Sequence, residues 1–180
     1  MKILAFAASN SKQSINKALV RHAADVFTSE ILSDATVDQL DLNDFEMPLY
    51  SIDRENEGGI PDLAKAFYGA IGEADALIIS FAEHNGTYTA AFKNLFDWMS
   101  RIDRNLYQGK PLLALATSPG KGGAGNVLNV ATSAAPHFGT EVVASLSVPS
   151  FYEVFDTESG TLTDPALAAA LRQALSALCK

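Results

Sequence analysis

Three uninterrupted apolar runs constrain this chain more than any other feature: Ile3-Leu4-Ala5-Phe6-Ala7, Ala76-Leu77-Ile78-Ile79 and Leu112-Leu113-Ala114-Leu115-Ala116. A strand with one face in water alternates apolar and polar residues, whereas a strand covered on both faces is free of that constraint. Runs of this length among segments of helical spacing imply a parallel sheet held between helices. Ser14 to Ile31 shows such spacing through Ile15, Leu19, Ala23, Val26 and Phe27. Pro61 suits the first turn of a helix running to Glu73. Thr87 is expected to cap a helix reaching about Arg101, another helix ends near Phe138, and Pro165 opens a last one. Val37, Leu40 and Leu42 mark a more polar strand nearer an edge, and Val142-Val143-Ala144 lies in a fifth.

Five strands interleaved with helices admit two windings with right-handed crossovers, the 3-2-1-4-5 Rossmann half and the flavodoxin-like 2-1-3-4-5 order. Both bind ligands beyond the carboxyl ends of the strands, where the order reverses. The 180 residues suit one domain spanning 1–180, with no repeat and no linker. The segment from Asn43 to Gly59 is long for a structureless connection, so it is expected to be functional or mobile.

Charge and cysteine usage exclude several classes. The net charge of −8 repels nucleic acid and anionic membranes. It leaves open a phosphate held locally by backbone N–H groups at a helix N-terminus. Cys179 is the only cysteine, so no intrachain disulfide forms, and His22, His84 and His137 are too scattered for a metal cluster. The apolar run after Lys2 is too short for a secretory signal, and no stretch approaches the ~18 apolar residues of a membrane span. The expected location is the cytoplasm.

Three loops follow the three central strands. The first, Ala8-Ser9-Asn10-Ser11-Lys12-Gln13-Ser14-Ile15-Asn16, is rich in hydroxyls and amides and opens a helix. Ser9, Ser11, Ser14, Asn16 and the first-turn N–H groups could converge on a phosphate, and an ordinary N-cap would use the same residue types. Neither G-x-G-x-x-G nor the Walker pattern is present. The second loop, Ala82-Glu83-His84-Asn85-Gly86-Thr87, carries an Asn-Gly turn whose backbone can approach a flat ligand. Glu83 and His84 are adjacent and point apart, which argues against an acid–base dyad. The third, Thr117-Ser118-Pro119-Gly120-Lys121-Gly122-Gly123-Ala124-Gly125, is glycine-rich. Each loop alone reads as an ordinary turn. In the 2-1-3-4-5 order the three share one crevice.

These residues resemble the NAD(P)H-dependent FMN reductase family, with its related quinone and azo reductases. The family's first loop runs G-S-x-R-x-x-S-x-N. Ser9, Ser14 and Asn16 match it, while Ala8 replaces the glycine and Ser11 the arginine. Its P-E-Y-N-G-S-x-x-x-x-L-K-N-x-x-D-W stretch is matched by Glu83, Asn85, Gly86, Lys93, Asn94, Asp97 and Trp98, with Ala82 and His84 departing. Met47 to Asp53 resembles a further family segment, and Ser118-Pro119-Gly120 with Gly122-Gly123 resembles its third loop. The resemblance spans about residues 1–145.

It implies a flavodoxin-like three-layer α/β sandwich with a five-stranded parallel sheet of order 2-1-3-4-5. It also implies FMN and NAD(P)H as cofactors, hydride transfer to the flavin, and a flavin, quinone or azo-type small-molecule acceptor. The residues it assigns to FMN are Ser9, Ser11, Ser14, Ile15 and Asn16 at the phosphate; Ala82, Glu83, His84, Asn85 and Gly86 on one side of the ring; and Ser118, Pro119, Gly120 and Gly122 on the other. No side chain is assigned a catalytic role. Asp97 and Trp98 are assigned to packing. Assembly as a homodimer or homotetramer follows from the same resemblance. A flavodoxin-type electron carrier and a non-catalytic flavin-binding or sensing module share the fold and stay open.

Overall fold

All five strands form in the computed structural model, which describes residues 1–180. They are β1 (Lys2–Ala8), β2 (Thr36–Leu40), β3 (Ala76–Phe81), β4 (Leu112–Thr117) and β5 (Val142–Val148). Every neighbouring pair is parallel, and β1 lies between β2 and β3. Phe6 stands opposite Leu40 on one side and Ile79 on the other. The order is therefore β2-β1-β3-β4-β5, the flavodoxin-like winding, and the Rossmann half is excluded. The switch point lies at the carboxyl ends of β1 and β3.

The helices are α1 (Ile15–Val26), α2 (Ile52–Gly58), α3 (Asp62–Glu73), α4 (Ala90–Met99), α5 (Gly125–Ala134), the single turn α6 (Phe151–Val154) and α7 (Pro165–Ser176). The period-2 geometry of the strands splits each apolar run between two cores. Leu4, Phe6, Leu77, Ile79 and Ala114 face α3, α4 and α5. Ile3, Ala5, Ile78, Leu113 and Leu115 face α1 and α7. Phe6 meets Phe67 edge-on at 5.0 Å. Each buried Leu, Ile or Phe among them contributes about 1.5–3 kcal/mol, so both faces of the sheet are held by the same apolar term.

Three expectations are corrected. The cap of α4 is Thr89, whose hydroxyl accepts from the Phe92 N–H and donates to the Ala8 carbonyl at 3.0 Å. Thr87 instead pairs with His84 in a two-residue hairpin. The segment from Asn43 to Gly59 is not structureless. It begins within a 3-10 turn, Leu42–Phe45, and contains α2, which buries none of its residues. Leu42 belongs to that turn rather than to β2. No helix is long and apolar enough to cross a membrane.

Candidate functional site

The first loop is built to keep its donors free. Ser9 is buried, and its Oγ accepts the Ser11 N–H at 3.2 Å. Ser14 is the N-cap of α1, and its Oγ accepts the Lys17 N–H at 3.3 Å. A hydroxyl has one donor hydrogen besides its lone pairs, so both O–H groups remain available to a ligand. The hydrogen bonds of α1 begin with Lys17 and Ala18, both to the Ser14 carbonyl. The N–H groups of Ile15 and Asn16 precede them and have no intrahelical acceptor. Together with the helix dipole they favour an anion.

Asn16 differs from its neighbours. Its side chain is 3% exposed. Its Nδ2 donates to the Thr117 carbonyl at 3.2 Å, and its Oδ1 accepts from Ser80 Oγ at 2.8 Å and from the Thr117 N–H at 3.1 Å. The amide expected to reach a phosphate thus ties the first loop to β3 and β4, and its backbone N–H is what it presents outward. Lys17 is held by Asp41.

The second loop is a tight hairpin. Glu83 pairs with Tyr88 and His84 with Thr87, and the turn residues Asn85 and Gly86 have φ of 53° and 81°. Two positive φ values in succession define the type I′ turn that Asn-Gly favours. Beyond Gly86 there is open space where a Cβ would stand. The Glu83 carboxylate turns away from His84 to α5, where it accepts the Val127 N–H at 2.9 Å and Asn126 Nδ2 at 3.4 Å. An acid at a helix N-terminus is stabilised by the dipole, so Glu83 latches the hairpin to the helix behind the third loop. Burial pushes the Tyr88 hydroxyl up to about 12, leaving it a neutral phenol.

The third loop is clasped from beneath. The Gly120 carbonyl accepts the Ser150 N–H at 2.9 Å, the Ser118 carbonyl accepts the Phe151 N–H at 3.0 Å, and the Gly123 carbonyl accepts Ser147 Oγ at 2.8 Å. A side chain at Gly123, where φ is +56°, would meet Ser147 and the Pro149 backbone. Gly120 and Gly122 face open space instead.

Ten of the fourteen expected residues line one cavity of about 240 Å³: Ser9, Ser11, Ser14, Ile15 and Asn16 from the first loop, Ala82, Glu83 and His84 from the second, Ser118 and Pro119 from the third. Asn85, Gly86, Gly120 and Gly122 belong to the same loops without lining it. Gln13, Thr117 and Tyr152 line it and were not anticipated. Gln13 and Thr117 stand in the first and third loops, and Tyr152 lies beyond the matched segments. No lysine or arginine contributes to the lining. The cavity presents hydroxyls and unpaired first-turn N–H groups at one end, and glycines open to solvent flank it. That set fits a phosphate monoester joined to a flat ring, which is the shape of FMN.

The motif-matching residues on α4 hold structure. Asn94 Nδ2 donates to the carbonyls of Met47 and Pro48, its Oδ1 accepts the Tyr50 N–H, and Trp98 Nε1 donates to the Pro48 carbonyl at 2.7 Å. Lys93 and Asp97 form a pair one turn apart. Asp97 and Trp98 are thus engaged in pairing and packing.

A family model described as NADPH-dependent FMN reductase matches residues 1–153. An NADPH:quinone oxidoreductase of Arabidopsis thaliana is 29% identical over 181 residues, covering 99% of this chain and 90% of its own. A 2-hydroxy-1,4-benzoquinone reductase of a Burkholderia species is 34% identical over 121 residues, 67% of this chain and 62% of its own. Among solved structures, the flavoenzyme NAD(P)H:(acceptor) oxidoreductase FerB of Paracoccus denitrificans superposes with a TM-score of 0.75 at 24% identity, over 98% of this chain and 94% of that one. With the strand order, the hydroxyl-rich first loop and the Asn-Gly hairpin already in place, the chain belongs to the NADPH-dependent FMN reductase family, flavoenzymes that use FMN with NAD(P)H.

Proposed function

We propose that this chain, as one FMN-binding domain spanning residues 1–180, is an FMN-dependent NAD(P)H oxidoreductase that serves a flavin, quinone or azo-type acceptor. The observation that carries the reading is the meeting of three separate loops in one cavity, where the Ser9 and Ser14 hydroxyls and the first-turn N–H groups of α1 keep their hydrogens free. The names of the relatives from Arabidopsis and Burkholderia favour a quinone among the acceptors. When bound, FMN would supply the redox chemistry, a two-electron exchange between NAD(P)H and the acceptor.

The chain's own residues bind and orient. Ser9, Ser14 and the N–H groups of Ile15 and Asn16 hold the phosphate. The Asn85-Gly86 turn and the Ser118-Pro119-Gly120 backbone flank the ring, and Glu83 fixes the distance between those two walls through α5. No side chain is needed as base or nucleophile. Leu49 and Ile52, 67% and 54% exposed, support assembly into a homodimer or homotetramer, which would cover them. A cytoplasmic location accords with the absence of a long apolar helix.

The test is anaerobic. FMN-loaded protein is mixed with NADPH or NADH, and absorbance near the flavin maximum is followed. Bleaching by either nucleotide, reversed by a quinone, is the expected result. Bleaching by dithionite alone would replace the oxidoreductase reading with that of a carrier or sensing module.

A further inference from the structure

Tyr152 is an aromatic residue left 66% exposed at the wall of the cofactor cavity. Exposed aromatics on loose loops are common and carry no argument. This one is held rigidly. The preceding Ser150 adopts φ +50°, ψ +48°, a left-handed conformation that non-glycine residues rarely take and that persists where the surroundings enforce it. The enforcement is visible: the Ser150 N–H is bound to the Gly120 carbonyl and the Phe151 N–H to the Ser118 carbonyl. Phe151 is fully buried and meets Phe155 in a stack at 4.6 Å and Tyr152 edge-on at 5.4 Å. The backbone that carries the phenol is therefore fixed relative to Ser118 and Gly120, on a segment that follows β5 and belongs to none of the three loops.

The hydrogen bonds around it decide which end it serves: Asn16 ties the N-terminus of α1 to the Thr117 carbonyl, next to Ser118, whose carbonyl holds the Phe151 N–H beside Tyr152. The cavity that Tyr152 shares with Ser9, Ser11 and Ser14 is lined by no lysine or arginine. Lys17 is engaged by Asp41. A phosphate dianion there is held by neutral donors alone, and a phenol adds one more O–H as well as a ring edge that restricts water. Resting on the FMN reading above, we propose that Tyr152 is a further binding residue that closes the phosphate end of the cavity over the FMN phosphate, rather than a wall for the ring.

Riboflavin, which has the ring and ribityl chain without the phosphate, separates the two ends. Wild-type protein and Tyr152→Ala are titrated with FMN and with riboflavin, and binding is read from flavin fluorescence. The substitution is expected to loosen FMN about tenfold and riboflavin less than twofold. An unchanged unfolding midpoint is expected for so exposed a side chain and shows that the variant is folded. Unchanged FMN affinity, or equal loosening of both ligands, overturns the proposal. Wild-type protein that binds neither ligand overturns the FMN reading itself, and this inference with it.

Discussion

The loop after β1 and the loop after β4 border the same cavity and hold their shapes by opposite means. In the first, side chains do the holding. Ser9 and Ser14 use lone pairs to accept backbone N–H groups, and Asn16 reaches across the sheet to Ser80 and Thr117. In the third, backbone carbonyls of Ser118, Gly120 and Gly123 are gripped by the segment Ser147 to Phe151. One loop therefore keeps free hydrogens for a ligand, and the other is held in shape through its own backbone carbonyls. A glycine-rich stretch that reads as loose is fastened at three points by residues about thirty positions downstream.

If that contrast is right, the largest effect belongs to the tie of the first loop. Asn16→Ala strands Ser80 Oγ, the Thr117 N–H and the Thr117 carbonyl, all in buried surroundings. Buried polar groups left without partners cost about 1–3 kcal/mol each before relaxation, so a loss of about 3 kcal/mol is expected in urea unfolding. A loss below about 1 kcal/mol would mean that Asn16 is free for the ligand after all. The counterpart in the third loop is Gly123→Ala. It combines a left-handed φ with contact against Ser147 and the Pro149 backbone, and about 2 kcal/mol of destabilisation is expected. Substitution at Gly122, which faces open space and carries no positive φ, should cost far less.

Next comes the ligand side of the comparison. Ser9→Ala with Ser14→Ala removes two hydroxyl donors from the phosphate end. Bonds to a charged group are worth about 1.5–3 kcal/mol each, and water replaces part of that, so FMN affinity should fall by about 2 kcal/mol, or roughly thirtyfold. Loss of the Ser14 cap should also lower stability by about 1 kcal/mol. Calorimetric titration with FMN checks the first figure and thermal unfolding without FMN the second. Unaltered FMN affinity in the folded double variant would place the phosphate elsewhere.

The same contrast explains what could be read from the sequence. Strands buried on both faces declare themselves as apolar runs, and Asn85-Gly86 declares a type I′ turn, because in both the cause is local. Thr87 and Thr89 are equally good caps by residue type. The choice between them was made by hairpin pairing with His84 and by the Ala8 carbonyl, neither visible along the chain. Helix α2 buries nothing, so its residues carry no apolar period to find. Asn16 was read as a donor to a ligand because its partners lie 64 and 101 residues away. Tyr152 reaches the cavity only through the clasp under the third loop. Local chemistry and the family resemblance together named ten of the residues that line the cavity, and long-range hydrogen bonds decided what several of them do.

The smallest effect tests whether the far face of α1 behaves independently of the cavity. His22 is nearly buried there, edge-on to Phe155 at 5.9 Å, and its Nε2 accepts the Leu162 N–H at 3.4 Å. Burial lowers its pKa below the ordinary histidine value, opposed by Asp25 and Glu30 and assisted by Arg172. The unfolded chain therefore takes up a proton on this residue before the folded one does, and stability rises with pH while the two differ. The contribution is complete above the unfolded value of about 6.5 and is lost as pH falls from there toward the lower folded value. The protonated ring also cannot accept from Leu162. The depressed carboxylates Glu30, Asp41, Asp62 and Asp156 titrate below this window, so a slope between about pH 6.5 and 5 is expected to trace to His22. Unfolding free energies of the FMN-free protein should decline over that range, and His22→Phe should flatten the decline. An equally steep decline in His22→Phe would assign the slope to another group and leave α1 without a pH-sensitive contact to the two-residue strands Phe155–Asp156 and Thr161–Leu162, which pair antiparallel.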